Sequence, residues 1–368
     1  MQSNNEKAFL ALVRAGLWEN EVRLSQFDSI DYDEVYRLAE EQSVIGLVAA
    51  GLEHVVDQKP HKKDVLKFIG QTLQLEQRNN AMNYFIGVLV EKMRKAGIYT
   101  LLVKGQGVAR CYERPLWRSC GDVDFLLSKD NYIKAKSFLL PLASSVETED
   151  VRKLHQAITI NPWVVELHGK LPTEISTRVN DVIDDVLDDI FYRGEVRSWD
   201  NDEVTVYLPS ADKDVIVIFT HFIQHFYVGG VGLRQICDWC RLLYTYNDTI
   251  NKAKLLSLIK KMGLMSEWKA FASFAVEFLG MPKEAMPFYK NSWKNSRRAK
   301  RIWRLILETG IFGHNKDESY RTKYPNLVQK TITFFRRMAE FVRLTTIFPK
   351  NAPVFFITYV TRRTQAAL

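Results

Sequence analysis

Apolar residues recur at helical spacing over the first 95 residues, which predicts that the chain begins with helices. The spacing is clear in FLALVRAGL and in YRLAEEQSVIGLVAAGL, and it continues from Asp64 to Ala96 with few helix-breaking residues. At Gly97 the pattern changes. The next segment, IYTLLV (98–103), is short, apolar and β-branched at its start, as expected of a buried strand.

Further strand patterns follow before Pro209: DVDFLL (122–127), QAITI (156–160), WVVELHG (163–169) and EVTVYL (203–208). The Asn161-Pro162 pair predicts a turn, and therefore a hairpin, between QAITI and WVVELHG. After Pro209 the helical spacing returns and continues to the end. The pattern predicts an α+β fold with three parts: an N-terminal helical domain (1–96), a small core with a sheet (97–208) and a C-terminal helical domain (209–368).

Two aspartates stand in the otherwise apolar strand DVDFLL. Because side chains alternate between the faces of a strand, Asp122 and Asp124 share one face, while Val123 and Phe125 share the other and can pack on a helix. Carboxylates about 7 Å apart along a strand repel each other unless a cation lies between them. Mg²⁺ prefers such oxygen ligands. The pair indicates a divalent-metal site; the alternative is a strand that begins with two solvated carboxylates.

Glu166 is a third candidate ligand, in the strand WVVELHG. It shares a strand face with Val164 and His168, and a carboxylate buried alone is costly. We therefore expect this strand to lie beside the strand of Asp122 and Asp124. Three carboxylates on adjacent strands suit two-metal phosphoryl transfer, in which one metal holds the leaving phosphates and the other activates the attacking oxygen. The alternative is a charge that protects an edge strand from aggregation.

A glycine-bearing turn, in LLVKGQGVAR, joins the first predicted strand to a helix. The strand ends at Val103, the turn lies at Gly105, and the helix begins at Gln106. Backbone N–H groups at the positive end of a helix can bind phosphates. Lys104 and Arg118 could add positive charge beside those phosphates, or they could be ordinary surface charges.

The composition fits a globular protein with a core, because 46% of the residues are hydrophobic and 12% are aromatic. No apolar stretch reaches the roughly 18 residues of a membrane span. The first residues lack the basic-then-apolar pattern of a signal peptide. Four cysteines without a repeated spacing argue against a disulfide framework. We therefore expect a cytoplasmic protein.

The net charge of +8 is concentrated at the C-terminal end. The segment 297–368 contains 15 Lys or Arg and 4 Asp or Glu residues, which gives it a net charge of +11. Such a segment indicates an anionic partner, such as nucleic acid, lipid head groups or nucleotide phosphates, or a solvated helical surface. The stretch 334–363 mixes aromatic residues with arginines, so peripheral contact with a membrane is a further alternative, which its two prolines disfavour.

Apolar residues accompany the basic clusters of this segment. Ile302 and Trp303 follow Arg301, and Phe334 and Phe335 precede a pair of arginines. A disordered basic arm would be poor in such residues. We predict that the segment packs on the protein as helices, with its apolar residues forming the packing face, and that it is not an arm that binds nucleic acid.

One predicted helix carries His221 and His225 in THFIQHF, and the next carries Cys237 and Cys240 on either side of Asp238. The histidines lie four residues apart and share a helix face. They lack the glutamate of the zinc motif His-Glu-x-x-His, so polar contacts that line a cleft are the favoured interpretation. The Cys-x-x-Cys pair lies inside a helical pattern without a second pair, which favours buried thiols over a metal site.

These motifs together resemble a family of uncharacterised bacterial nucleotidyltransferases, which has the polymerase-β-like nucleotidyltransferase superfold. The resemblance covers roughly residues 30 to 245 and departs from the superfold at Gly105-Gln106, where Gly-Ser or Gly-Gly is usual. The matching positions are Lys104-Gly105, Arg118, Asp122-Val123-Asp124, Glu166-Leu167-His168, His221, His225 and Asp238.

The resemblance implies a mixed sheet in the core and a Mg²⁺-dependent nucleotidyltransferase. Such an enzyme moves a nucleoside monophosphate from ATP or another NTP to an acceptor hydroxyl and releases pyrophosphate. It implies catalytic, metal-holding roles for Asp122, Asp124 and Glu166, nucleotide binding by Lys104, Gly105, Gln106 and Arg118, and a cleft lined by His168, His221, His225 and Asp238. The alternative is a non-catalytic protein that retains the fold and binds a nucleotide or a partner.

Overall fold

Helices form the beginning of the chain, as the spacing of apolar residues predicts. The computed structural model describes residues 3–194, 196–310 and 320–367. The first helices are α1 (Asn4–Trp18), α2 (Tyr32–Glu41), α3 (Ile45–Glu53) and α4 (Lys62–Lys95). Helices α1 and α3 cross closely: a Cβ atom added to Gly16 would lie 1.9 Å from the carbonyl oxygen of Leu47. This close approach requires a residue without a side chain.

A five-stranded mixed sheet follows, in the order β1-β2-β5-β4-β3. Only β2 and β5 run parallel to each other; the other neighbours are antiparallel. Two short helices, α5 and α6, connect the first three strands. The bounds are β1 (Leu101–Val103), α5 (Gly105–Ala109), β2 (Asp122–Leu126), α6 (Lys129–Leu139), β3 (Ser145–Val146), β4 (His155–Ile160) and β5 (Trp163–His168).

The sequence patterns located this sheet well. The predicted hairpin at Asn161-Pro162 is confirmed, because β4 and β5 pair from Ile160–Trp163 outward. Ser128 caps α6, since its hydroxyl accepts from the backbone N–H of Asn131. The two-residue strand β3 was not predicted, because it is too short and too exposed to have an apolar pattern.

A second sheet has two antiparallel strands, β6 (Val196–Asn201) and β7 (Val204–Pro209), and helix α7 (Thr177–Tyr192) precedes it. Strand β7 was predicted. Its partner β6 was not, because the sequence VRSWDN is mostly polar and only Trp199 and Asn201 are buried.

Helices form the rest of the described chain. They are α8 (Ala211–Val228), α9 (Leu233–Thr245), α10 (Lys252–Met262), α11 (Met265–Glu277), α12 (Trp293–Thr309), α13 (Tyr320–Lys323), α14 (Asn326–Ile347) and α15 (Asn351–Ala367). Among the described residues, no helix combines the length and the apolar character that crossing a bilayer needs.

Two apolar cores hold these layers together. One lies against the five-stranded sheet and includes residues of α4 such as Met82 and Ile86 together with Phe125 of β2. The other joins the first helices to the last: Phe9 of α1 belongs to the same buried cluster as Trp268 and Trp303. The N-terminal and C-terminal helical segments, which the sequence separates into two domains, therefore share one core.

The basic C-terminal segment is helical in its described part, as predicted. Ile302, Trp303 and Ile306 of α12 are buried, and α14 and α15 bury Leu344, Ile347, Phe348 and Phe355. The prediction was wrong for Phe334 and Phe335, whose side chains are 58% and 66% exposed. They lie on the outer face of α14, so aromatic residues beside arginines do not by themselves mark a packing face.

All four cysteines are buried and none forms a disulfide, so the interpretation of Cys237 and Cys240 as buried thiols is confirmed. Burial raises the pKa of both thiols, which keeps them protonated and unreactive.

Glu267 is a buried carboxylate in the helical core, and its ionisation should make the stability of the fold depend on pH. Glu267 is 0% exposed; one oxygen accepts from the Tyr227 hydroxyl (2.7 Å) and from the Asn351 amide (2.8 Å), and the other has no partner. Burial raises the pKa of Glu267. The folded protein therefore holds this proton at pH values where the unfolded chain releases it, and stability is lost as the pH rises from the ordinary pKa of glutamate through the folded value.

We expect Glu267→Gln to melt at a higher temperature than the wild type at pH 8 and at nearly the same temperature at pH 4. The neutral amide can accept both hydrogen bonds without carrying a buried charge. Thermal melts across this pH range measure the effect, with the exposed Glu284→Gln as the matched control. A constant difference between Glu267→Gln and the wild type at all pH values would contradict the assignment.

Candidate active site

The predicted neighbourhood of the acidic strands is confirmed. Strands β2 and β5 run side by side and parallel, and their register pairs Asp124 with Glu166 and Asp122 with Val164. All three carboxylates line one cavity of about 190 Å³. The opposite face of β2 buries Val123 and Phe125 in the core of the sheet. Alternation along two adjacent strands therefore brings together three acids that are 2 and 42 residues apart in sequence.

Asp124 is the most buried of the three carboxylates, and its partners are the ammonium group of Lys104 and the imidazole of His168. Lys104 Nζ donates to Asp124 Oδ1 at 2.7 Å, and His168 Nε2 lies 2.8 Å from the same oxygen. Burial by itself would raise the pKa of Asp124, but the charge of Lys104 and the hydrogen bond with His168 lower it overall. Asp124 therefore stays ionised and holds two side chains in place.

Asp122 has the opposite environment. The charge of Asp124, then burial, and then the charge of Glu166 raise the pKa of Asp122 to about 6. Like charges this close leave an excess of negative charge at the cavity. A bound cation would remove that excess, so this feature of the site fits a metal ion.

Glu166 lies between two imidazoles. His155 Nε2 is 3.4 Å and His168 Nε2 is 3.3 Å from Glu166 Oε2. These hydrogen bonds, His155 first, lower the pKa of Glu166. The ligand atoms of His155, Glu166 and His168 all lie within 4.8 Å of one another, so they could also hold a metal ion. Oxygen ligands alone suit Mg²⁺, whereas this mixed set suits a transition metal.

The Lys104-Gly105 turn faces the same cavity, as expected. Lys104 and Gly105 both have positive φ angles, 56° and 37°. A Cβ atom on Gly105 would lie 3.2 Å from the sulfur of Cys120, so the turn also packs tightly against the start of β2. The side chain of Gln106 is engaged elsewhere: Gln106 Nε2 donates to Asn79 Oδ1 at 2.8 Å, and Asn79 does not line the cavity. Any contact of Gln106 with a ligand would have to come from its backbone.

Arg118 lines the cavity, but its guanidinium is engaged. Arg118 Nε and Nη2 donate to the two oxygens of Asp238 at 3.0 and 2.6 Å, and Tyr112 donates its hydroxyl to Asp238 at 2.8 Å. The charge of Asp238 raises the pKa of Arg118 although burial opposes it. Arg118 and Asp238, predicted as a nucleotide ligand and a cleft residue, form a buried ion pair that fastens α9 to the loop before β2.

His221 and His225 lie on the wall opposite the sheet. Their ring centroids are 4.5 Å apart, and both line the cavity of the three carboxylates. They also line a second cavity of about 270 Å³, which shares Glu166 and Lys104 with the first. Burial and the charge of Lys104 lower the pKa of both, for His225 to about 4, so both imidazoles are neutral at pH 7.

Sequence reasoning missed three residues of this site: His155, Arg234 and Gln235. His155 could have been found by counting outward from the Asn161-Pro162 turn, because the hairpin register pairs it with His168. Arg234 lies four residues before Asp238 on α9, a spacing that places both side chains on one helix face. No local pattern distinguishes Gln235.

A family model described as an uncharacterised nucleotidyltransferase matches residues 28–280, which is more than half of the chain. No curated protein and no solved structure matches the chain. The matched range contains the whole five-stranded sheet, the three carboxylates and helix α9.

Proposed function

The chain belongs to a family of uncharacterised nucleotidyltransferases, and we propose that it transfers a nucleoside monophosphate from an NTP to an acceptor hydroxyl and releases pyrophosphate, with Mg²⁺. The observation that carries this proposal is the position of Asp122, Asp124 and Glu166 on two adjacent parallel strands at one cavity. Three acids at a shared site are costly unless they hold cations.

Asp122, Asp124 and Glu166 would hold the Mg²⁺. The raised pKa of Asp122 reflects uncompensated negative charge, and carboxylate oxygens are the ligands that Mg²⁺ prefers. When bound, the metal neutralises phosphate charge and activates the attacking oxygen. Lys104 and His168 fix the orientation of Asp124 through their contacts with its Oδ1.

The reaction is a displacement at the α-phosphorus of the NTP. The acceptor oxygen bonds to that phosphorus, the bond from the phosphorus to the α,β-bridging oxygen breaks, and pyrophosphate leaves with the electron pair. The hydroxyl proton leaves toward Glu166 and the imidazole beside it, His155. Positioning and neutralisation of charge supply most of the catalysis in such transfers.

The second cavity is the proposed acceptor site. It shares Glu166, Lys104, His221 and His225 with the cavity of the carboxylates but does not reach Asp122. The attacking and leaving oxygens of an in-line displacement lie on opposite sides of the phosphorus. An acceptor in the second cavity would therefore approach past Glu166, while pyrophosphate leaves on the side of Asp122.

A binding protein without transfer activity is the second candidate. Two observations favour it: the ammonium group of Lys104 already neutralises Asp124, and the side chain of Gln106 takes the place of the serine that is usual in the superfold and turns away from the cavity. Such a protein would bind an NTP and have no need of a metal.

Thermal melting with each NTP, with and without Mg²⁺, tests the proposal. A ligand at about 100 times its dissociation constant stabilises the folded state by about 2.7 kcal/mol. We expect stabilisation that depends on Mg²⁺, together with transfer of label from an α-³²P NTP into fractionated cell extract, which supplies the acceptor. Stabilisation that is indifferent to Mg²⁺, without transfer of label, would support the binding protein instead.

Glu166→Gln separates binding from turnover. We expect NTP binding close to that of the wild type and a turnover lowered by about 100-fold or more, because Glu166 acts on the acceptor side, where proton transfer contributes about 10²–10⁴-fold. Titration of NTP binding and initial rates measure the two effects. The exposed Glu147→Gln is the matched control. Loss of NTP binding with unchanged turnover would show that Glu166 has a different role.

A further inference from the structure

Two adjacent residues at the beginning of α9 line the cavity of the carboxylates and carry buried donors without a partner among the described residues. Gln235 is 6% exposed; its Oε1 accepts from the backbone N–H of Gly232 at 3.0 Å, while its Nε2 has no partner. Arg234 Nη1 donates to the carbonyl of Ser119 at 2.9 Å, but its buried Nε has no partner. Both side chains line the cavity of about 190 Å³ with Asp122.

Unpaired buried donors are rare in folded proteins, because leaving such a group without a partner destabilises the fold. Two of them on neighbouring residues, lining the same cavity, indicate a ligand that is rich in hydrogen-bond acceptors. Among the described residues, none supplies an acceptor to either donor.

Arg234 is also a cation of this cavity, and it has no carboxylate partner among the described residues. Lys104 is paired with Asp124, and Arg118 is paired with Asp238 through two hydrogen bonds. Among the residues that the structure describes, no carboxylate lies within ion-pair distance of Arg234. Its positive charge is therefore available to an anionic ligand.

The helix adds to the positive potential at this point. Helix α9 has 13 residues, and its N-terminus carries the positive end of the helix dipole. Three backbone N–H groups there are already used: Gly232 donates to Gln235 Oε1, Leu233 donates to Gln42 Oε1 at 3.1 Å, and Arg234 donates to the carbonyl of Gln42 at 3.4 Å. The side chains of Arg234 and Gln235, rather than the backbone, would therefore make the direct contacts.

We propose that Arg234 and Gln235 form a polyphosphate site, which holds the β- and γ-phosphates of the NTP and then the pyrophosphate product. This inference rests on the proposed function. It places the leaving group beside Asp122 and the start of α9, residues that line the first cavity and not the second. It also assigns the phosphate contact that Arg118, engaged with Asp238, does not provide.

Calorimetric titration with inorganic pyrophosphate and with tripolyphosphate, each with Mg²⁺, tests the site directly. We expect Arg234→Met to weaken the binding of both by roughly 10–100-fold, as for loss of a hydrogen bond between charged groups. Arg234→Lys should retain part of the affinity because it keeps the charge. The matched control is Arg110→Met, which removes one exposed arginine outside the cavity and should bind as the wild type does.

Gln235→Glu is a second, independent variant. The carboxylate can still accept from Gly232, so the start of α9 keeps its cap, but the free donor is replaced by an acceptor with negative charge. We expect pyrophosphate binding to fall at least about tenfold in protein that remains folded by circular dichroism. This variant decides the matter if Arg234→Met does not fold.

The outcomes separate this inference from the proposed function. Wild-type affinity for pyrophosphate in Arg234→Met or in Gln235→Glu would overturn the polyphosphate site, even if the wild-type protein transfers nucleotides. Loss of pyrophosphate affinity in these variants supports the site, even if the wild-type protein transfers no label from an α-³²P NTP; in that case the proposed function fails alone.

Discussion

Replacing Asp122 with asparagine is expected to lower nucleotidyl transfer by about 1,000-fold or more while the protein stays folded. The loss follows because a metal-holding carboxylate contributes several kcal/mol to the stabilisation of the transition state, and 1.36 kcal/mol corresponds to tenfold in rate. The fold survives because Asp122 is repelled by Asp124, the largest cause of its raised pKa of about 6.

The same variant has a pH signature in the absence of Mg²⁺. The folded pKa of Asp122 is above that of an aspartate in the unfolded chain, so the wild type loses stability as the pH rises from about 4 to about 6. Asp122→Asn does not undergo this loss. We expect Asp122→Asn to have a higher melting temperature than the wild type at pH 7.5 and the same melting temperature at pH 4. Thermal melts in a chelating buffer measure this difference.

Asp124→Asn is expected to lose transfer equally but to lose stability as well. Asp124 neutralises Lys104, and a buried charge whose partner is removed costs about 3–5 kcal/mol. The exposed Asp202→Asn, in a turn that asparagine tolerates, is the matched control for both variants. Turnover near that of the wild type in Asp122→Asn or Asp124→Asn, with Mg²⁺ supplied, would refute the proposed Mg²⁺ site.

The second large effect is expected at the buried pair of Arg118 and Asp238, whose side chains are 6% and 8% exposed. In Arg118→Met, Asp238 keeps its hydrogen bond from the Tyr112 hydroxyl, but its buried negative charge is no longer compensated. We therefore expect the free energy of unfolding to fall by about 3–5 kcal/mol. Urea unfolding measures it, with Arg110→Met as the exposed control.

A double-mutant cycle shows whether that loss comes from the pair. Replacing both partners with apolar residues, Arg118→Met with Asp238→Leu, should cost less than the sum of the two single substitutions, by about 0.5–3 kcal/mol. If Arg118→Met instead keeps its stability and weakens NTP binding, then Arg118 is a nucleotide ligand, as the resemblance implies, and the ion pair is not its main role.

The local sequence was enough to find the sheet and the face that carries the acids. Alternation in DVDFLL places Val123 and Phe125 in the core and Asp124 at the cavity, because successive side chains of a strand point to opposite faces. The cap at Ser128 and the turn at Asn161-Pro162 likewise depend on neighbouring residues. Strand β6 was not predicted, because its sequence pattern is polar and it is a strand only through its pairing with β7.

Which apolar side chains of the basic segment (297–368) are exposed could not be predicted from the neighbouring residues in the sequence. Ile302 and Trp303 are buried, whereas Phe334 and Phe335 are exposed, although both pairs stand beside arginines. Which helix face is covered depends on the neighbours that pack on it, and α12 packs against α11 while the outer face of α14 has no covering helix among the described residues.

The sequence by itself determined which residue types stand at the site and on which face of their own element they lie, since those properties depend on the regular geometry of one helix or strand. The partners were decided by the tertiary structure alone. Arg118 and Asp238 are 120 residues apart, and only the packing of α9 against the loop before β2 brings them together. The same packing commits one arginine to an ion pair and leaves Arg234 without a carboxylate, because charge pairing depends on distances in space that no local pattern contains.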